Sequence, residues 1–165
     1  MNNLTGADIC RIREELERDA ASALGRALFA FSGLDTNLGL MVASTLRLLG
    51  KDGQATKVGS LNFKTRLEVV ENYVVTTPEV APKAILEMKA WISQAQAARL
   101  QRNQLVHGRW SADPHRRKAL VVVGLPSSDM QQTIEYTIEE LEAINEQFQR
   151  LNSTLSQARR RWHLP

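Results

Sequence analysis

One short run brings together an arginine, an amide and a histidine: Arg102-Asn103-Gln104-Leu105-Val106-His107, followed by Gly108-Arg109-Trp110. A guanidinium offers a planar fork of donors that fits a phosphate. An imidazole can take or give a proton near neutral pH. Together they are the minimum for metal-free cleavage of a phosphodiester in RNA, with Arg102, Asn103 and His107 as the candidate catalytic set. Helical geometry restricts how they can meet. At about 100° per residue, Arg102 and His107 project about 140° apart, whereas Asn103 and His107 share a face. Two routes bring Arg102 and His107 together. Either the helix loosens at Val106, or the two residues come from different subunits across a two-fold axis.

The neighbouring charges fit a phosphate ligand as well as they fit a solvated loop. Arg99, Arg102, Arg109, Arg116, Arg117 and Lys118 stand against Asp113 alone, and Arg99, Arg109 and Trp110 are the candidate RNA-binding residues, Trp110 by stacking on a base. The net charge of +3 is too small to establish nucleic-acid binding by itself. The run Arg159-Arg160-Arg161 reads as a solvated helix end that complements the helix dipole. Each site residue also has a structural reading. Arg102 can pair with a carboxylate such as Asp35, His107 can bond the last helix carbonyls, Asn103 can hold a buried backbone group, and Trp110 can be core. His115 reads as a loop residue and His163 as part of a tail. Three scattered histidines and the single Cys10 have no metal-ligand spacing, so no metal or cofactor is expected. Neither a Walker-type loop nor a Gly-x-Ser-x-Gly elbow occurs.

The elements that must position these residues are mostly helical. Thr5-Gly6-Ala7-Asp8 has capping-box spacing. Apolar residues then recur from Ile9 through Phe31 to Leu49, with Gly33 and Gly39 as places where the helix can bend. Gly50 to Gly53 reads as a C-cap and turn. A second helix is expected from Leu61 to about Val75, with Leu61, Lys64, Leu67, Glu68, Val70 and Tyr73 on its stripe, ending before Pro78. A third begins between Pro78 and Pro82. Its stripe of Ile85, Met88, Ile92 and Ala95 turns polar at Arg99 and Arg102, and Gly108 ends it in the left-handed C′ conformation. Ala119 to Val123 has strand character and can pair with Arg109-Trp110-Ser111 as a small hairpin. Ser128-Asp129-Met130-Gln131 is expected to cap a fourth helix running to about Arg160, with Ile134 on its apolar stripe and Glu135 on its solvated acidic face.

At 165 residues, 43% apolar and 24% charged, the composition is that of one ordinary domain, taken here as residues 1–165. No stretch reads as the roughly 20 apolar residues that span a bilayer, and the start of the chain does not read as an export signal. A cytoplasmic protein without a membrane partner is expected.

The Arg-x4-His spacing, with an amide directly after the arginine, and the order of helices resemble the HEPN superfamily (higher eukaryotes and prokaryotes nucleotide-binding domains). The resemblance implies an all-α bundle of four or five helices. It also implies a homodimer whose two motifs face one cleft, and a metal-independent endoribonuclease acting on RNA. Many members act in toxin–antitoxin or phage-defence systems, so an antitoxin protein is an implied partner. On that reading His107 moves the proton of a ribose 2′-OH or of the leaving 5′-oxygen. Arg102 steadies the charged phosphorus, and Asn103 orients His107 or a phosphate oxygen. The alternative is a non-catalytic module of the same fold that binds a protein, a nucleotide or RNA. A DNA-binding regulator ranks last.

Overall fold

A computed structural model describes residues 5–124 and 131–165. Its helices are α1 (Gly6–Leu48), α2 (Asp52–Ala55), α3 (Phe63–Thr76), α4 (Pro82–His107) and α5 (Ile138–Arg161), with a single 3₁₀ turn at Val58–Ser60. Three strands, β1 (Arg109–Asp113), β2 (Lys118–Val123) and β3 (Gln132–Tyr136), form an antiparallel sheet in the order β1-β2-β3. The protein is therefore mainly helical with a small sheet inserted between α4 and α5. The chain divides into two compact units, residues 1–29 with 100–147, and residues 30–99 with 148–165. The long helices α1, α4 and α5 each contribute residues to both.

Helix boundaries follow from local chemistry. Thr5 and Asp8 cap α1 reciprocally, the Thr5 N–H donating to Asp8 at 3.2 Å and the Asp8 N–H to Thr5 Oγ1 at 3.2 Å. Neither Gly33 nor Gly39 interrupts this 43-residue helix. It ends in a Schellman motif at Gly50 (φ 69°), where Lys51 N–H reaches Leu46 O and Gly50 N–H reaches Arg47 O. The expected turn after it is the single-turn helix α2. Asn62 caps α3 through the Thr65 N–H at 2.9 Å, and Thr77 is extended ahead of Pro78.

The second unit holds the larger aromatic core. Phe31 meets Phe63 at 5.0 Å and the edge of Phe148 at 5.3 Å. The buried face of α3 is Phe63, Leu67, Val70 and Val74. This corrects the expected stripe, because Lys64 and Glu68 instead pair on the exposed face at 3.6 Å. On α4, Ala84, Met88, Trp91, Ile92, Ala95 and Ala98 are buried, and the Trp91 indole N–H donates to Leu151 O at 2.9 Å.

Between Ala27 and Leu46 the only charge is Asp35, and α1 is long and apolar enough to cross a membrane by length and composition. That corrects the expectation that no stretch comes near spanning length; Ser32, Thr36, Asn37, Ser44 and Thr45 interrupt the apolar run while its mean hydropathy stays high. In this structure Leu34, Leu38, Met41 and Val42 are fully buried core residues. Thr45 is buried among them with no hydrogen-bond partner for its hydroxyl. A buried orphan hydroxyl costs roughly 1–3 kcal/mol. Thr45→Val, which keeps the shape and removes the hydroxyl, is expected to raise the unfolding midpoint in urea, with a gain in unfolding free energy within that range. A lowered midpoint would show that the hydroxyl has a partner.

In the first unit, the inner face of the sheet is Trp110 and Ala112 on β1, Ala119 and Val121 on β2, and Ile134 and Tyr136 on β3, as the register requires. Ala119 and Val121 are buried, as are Ile12, Leu16, Ala20 and Ala23 of α1, Leu105 of α4, and Leu141 and Ile144 of α5. The expected hairpin forms, with Trp110 opposite Val121. The expected start of the last helix does not hold. Gln132–Tyr136 is a strand, and the cap is Thr137, whose Oγ1 accepts the Glu140 N–H at 3.2 Å while Glu140 accepts the Thr137 N–H at 2.8 Å. The box expected at Ser128 falls mostly outside the described residues. Thr133-Ile134-Glu135-Tyr136 is β-branched and alternating, and β2 supplies a partner edge that outweighs weak helical periodicity.

Candidate functional site

The helix carrying the motif runs unbroken to His107, and the next N–H, Gly108, still reaches back to Gln104 O at 3.0 Å. The route in which the helix loosens at Val106 is therefore closed. Arg102 and His107 of one chain point about 140° apart. Arg102 and Asn103 are half-buried and joined, Arg102 Nη1 donating to Asn103 Oδ1 at 3.2 Å. His107 is exposed at the helix end, on the face it shares with Asn103. Between Arg102 and Asn103 on one side and Val106 on the other, the core contact of this turn is Leu105, which is buried, whereas Val106 is exposed.

Asp35 takes no part in this arrangement; it binds Arg66 at 2.8 Å. Arg99 is half-buried, its Nε donating to Gln96 Oε1 at 2.9 Å. Arg109, the first residue of β1, is exposed. Trp110 is half-buried. Its indole N–H donates to Leu105 O at 2.9 Å, and its ring lies 6.0 Å from Tyr136. Trp110 thus closes one of the orphan carbonyls at the end of α4. Burial, then the charge of Glu140, pushes the Tyr136 hydroxyl above its usual range.

The join between helix and sheet depends on Gly108. Its φ is not positive, so the expected left-handed C′ conformation is absent; among the described glycines that conformation belongs to Gly50 and Gly124. What Gly108 supplies is space. A Cβ there would overlap Val121 Cγ2 and stand 2.7 Å from Gln104 O. Sequence reading identified the glycine but assigned it to backbone conformation, because the partner that crowds it is 13 residues away in the chain.

The basic cluster is less free than its sequence suggests. Arg116 bonds Asp113 at 2.7 Å and also Glu135, and Lys118 meets Glu135 at 3.1 Å. Asp113 also accepts the N–H groups of His115 and Arg116, which shapes the turn that leaves Arg117 at φ 51°. Glu135 lies on β3, not on a helix face, and so reaches these cations. Hydrogen bonding to Arg116 lowers the Asp113 carboxyl from its ordinary value, and Lys118, with Arg116, lowers Glu135. In the other unit, the run Arg159-Arg160-Arg161 forms the last turn of α5, where Arg161 and the Trp162 indole both meet Glu87.

Among the described residues no group of three or more His, Cys, Asp or Glu could hold a metal ion. No protein-family model matches the chain, and no solved structure matches it.

Two outcomes follow from this geometry. Gly108→Ala is expected to destabilise the protein by about 1–3 kcal/mol through overpacking. Adding Val121→Ala is expected to recover part of that loss in denaturant unfolding; a neutral Gly108→Ala would overturn the close contact. Depressed carboxyls at Asp113 and Glu135 add stability above their unfolded values, about 3.9 and 4.3, and lose it as pH falls through the lower folded values. Glu135→Gln is expected to flatten the decline of thermal stability below about pH 4.5 relative to wild type.

Proposed function

We propose that this protein is a metal-independent endoribonuclease of the HEPN type that acts as a homodimer. The observation that carries the reading is the end of α4: an exposed His107, with an Arg102–Asn103 pair set one to two turns before it. An unbroken helix keeps Arg102 and His107 of one chain apart, so the reading requires that Arg102 of one protomer serve His107 of the other. Leu100, exposed at 55%, stands seven residues before His107 and about 20° from it around the helix axis. An apolar side chain on the histidine's own face supports a second copy packing there.

In that cleft the imidazole of His107 removes the 2′-OH proton or protonates the departing 5′-oxygen. The guanidinium of Arg102 holds the negative charge that builds on the phosphoryl oxygens. Asn103 already engages Arg102 and fixes its direction. Exposed Arg109 supplies a further phosphate contact. Cleavage leaves a 2′,3′-cyclic phosphate, and DNA, which lacks the 2′-OH, is not cut. The second reading, a non-catalytic module, is favoured by the divergence of Arg102 and His107 within one chain.

Incubation with single-stranded RNA in EDTA tests both readings. Wild type is expected to cut, and His107→Ala to lose about 10²–10⁴-fold in rate. Mixing inactive Arg102→Ala and His107→Ala chains, after unfolding and refolding together, is expected to restore activity, because the mixed dimer keeps one intact pair. Leu100→Glu is expected to give an inactive monomer on sedimentation. RNA binding without cleavage would support the module. Cutting that needs a divalent cation, or persists in His107→Ala, would overturn the nuclease.

A further inference from the structure

Directly after the motif, β1 presents a free edge. β2 pairs with one side of it, and among the described residues no strand pairs with the other. No backbone group outside the sheet bonds to β1 among the described residues either. Alternate residues of such an edge leave N–H and C=O groups directed outward, a template for another extended chain. Beside this edge runs α1, and between the two lies an apolar groove of about 250 Å³. Leu16, Ala20 and Leu24 of α1 form one wall, and Trp110, Ala112 and Ala119 of the sheet form the other. The volume is below the roughly 300–1,000 Å³ of small-molecule pockets, and it suits one or two aliphatic side chains.

Charge defines the rest of the occupant. Glu17 lines the groove, and Leu16 also borders an adjoining polar hollow lined by Glu15, Asp19 and Glu139. Arg116 and Arg117 line that hollow too, but Asp113 and Glu135 already hold Arg116. The α1 acids at this rim pair with exposed arginines of their own helix, Glu15 with Arg11 at 3.7 Å, Glu17 with Arg13 at 3.2 Å and Asp19 with Arg18 at 3.3 Å. Exposed pairs of that kind are worth at most about 1 kcal/mol and exchange readily. The rim is therefore net acidic. A second copy of β1, Arg109-Trp110-Ser111-Ala112-Asp113, brings no net charge to it.

We propose that the groove between β1 and α1 is a docking site for an extended segment of a partner protein whose alternate residues, on the face toward α1, are aliphatic at the centre and basic at the ends. The segment adds to the sheet as a fourth strand beside β1. Its main chain pairs with the free edge over the five residues of β1, which ends at Asp113, just before Pro114. Its aliphatic side chains enter the groove over Ala112 and Ala20, and its lysines or arginines face Glu17, Glu15 and Asp19. The site takes in Arg109 and Trp110, which the nuclease reading gives to RNA, but not Arg102, Asn103 or His107, so peptide binding is measured apart from cleavage.

The test uses a fluorescein-labelled heptapeptide with valine and leucine at its central alternate positions, lysine at both ends of the same face and threonine between them, followed by anisotropy against the full chain. Saturable binding is expected. Replacing the lysines by glutamates, or N-methylating alternate amides of the peptide, is expected to weaken it about tenfold or more. Ala21→Trp, at an exposed α1 position that lines the groove, is expected to do the same with an unchanged circular dichroism spectrum. Glu17→Lys is expected to weaken binding and reduce its salt dependence. Absence of saturable binding, equal binding of the N-methylated or acidic peptide, or full binding by Ala21→Trp overturns the proposal. A dimer of wild type that Ala21→Trp dissociates would replace the partner by a second copy and overturn it as well.

Discussion

The contact between Gly108 and Val121 governs this half of the molecule. Here α4 passes directly into β1, and the residue at the join has no side chain to oppose the returning sheet. Val121 is fully buried on β2 and sits against the backbone of the last turn of α4. That contact ends the helix at His107, starts the strand at Arg109 and sets the register that places Trp110 opposite Val121. The Trp110 indole then returns to Leu105 O and secures the same turn. The histidine is exposed because the residues on both sides of it are held in place.

Rigidity at that point has a chemical consequence. A helix intact through His107 cannot turn the imidazole toward the guanidinium five residues earlier. On the proposed nuclease reading, the half-buried Arg102–Asn103 pair of one protomer therefore has to serve the exposed histidine of the other. On that proposal, catalysis depends on association and activity rises with protein concentration.

Electrostatics separates this region into cations that are held and cations that are available. Asp113 and Glu135 draw Arg116 and Lys118 into the hairpin, where they brace a turn of the sheet. Arg109 remains exposed next to the motif. A sequence count of basic residues treats all of them alike, yet three strands must be in register before Glu135 can reach across to two of them.

Local signals in the sequence were sufficient wherever the forces were local. The Thr5–Asp8 cap, the Gly50 terminator, the stop before Pro78 and the pairing of Trp110 with the valine-rich strand were all readable, because each depends on neighbours within a few residues or on strong strand propensity. The motif and its place at a helix end were readable for the same reason. Tertiary structure decided what depends on partners distant in the chain. It made Gln132–Tyr136 a strand by giving it an edge to join, turned Gly108 from a conformational cap into a packing space, and assigned Asp35 to Arg66 instead of Arg102. It also kept α4 helical to its last residue, since burial of Leu105 and the bond from Trp110 stabilise a final turn whose own periodicity is weak.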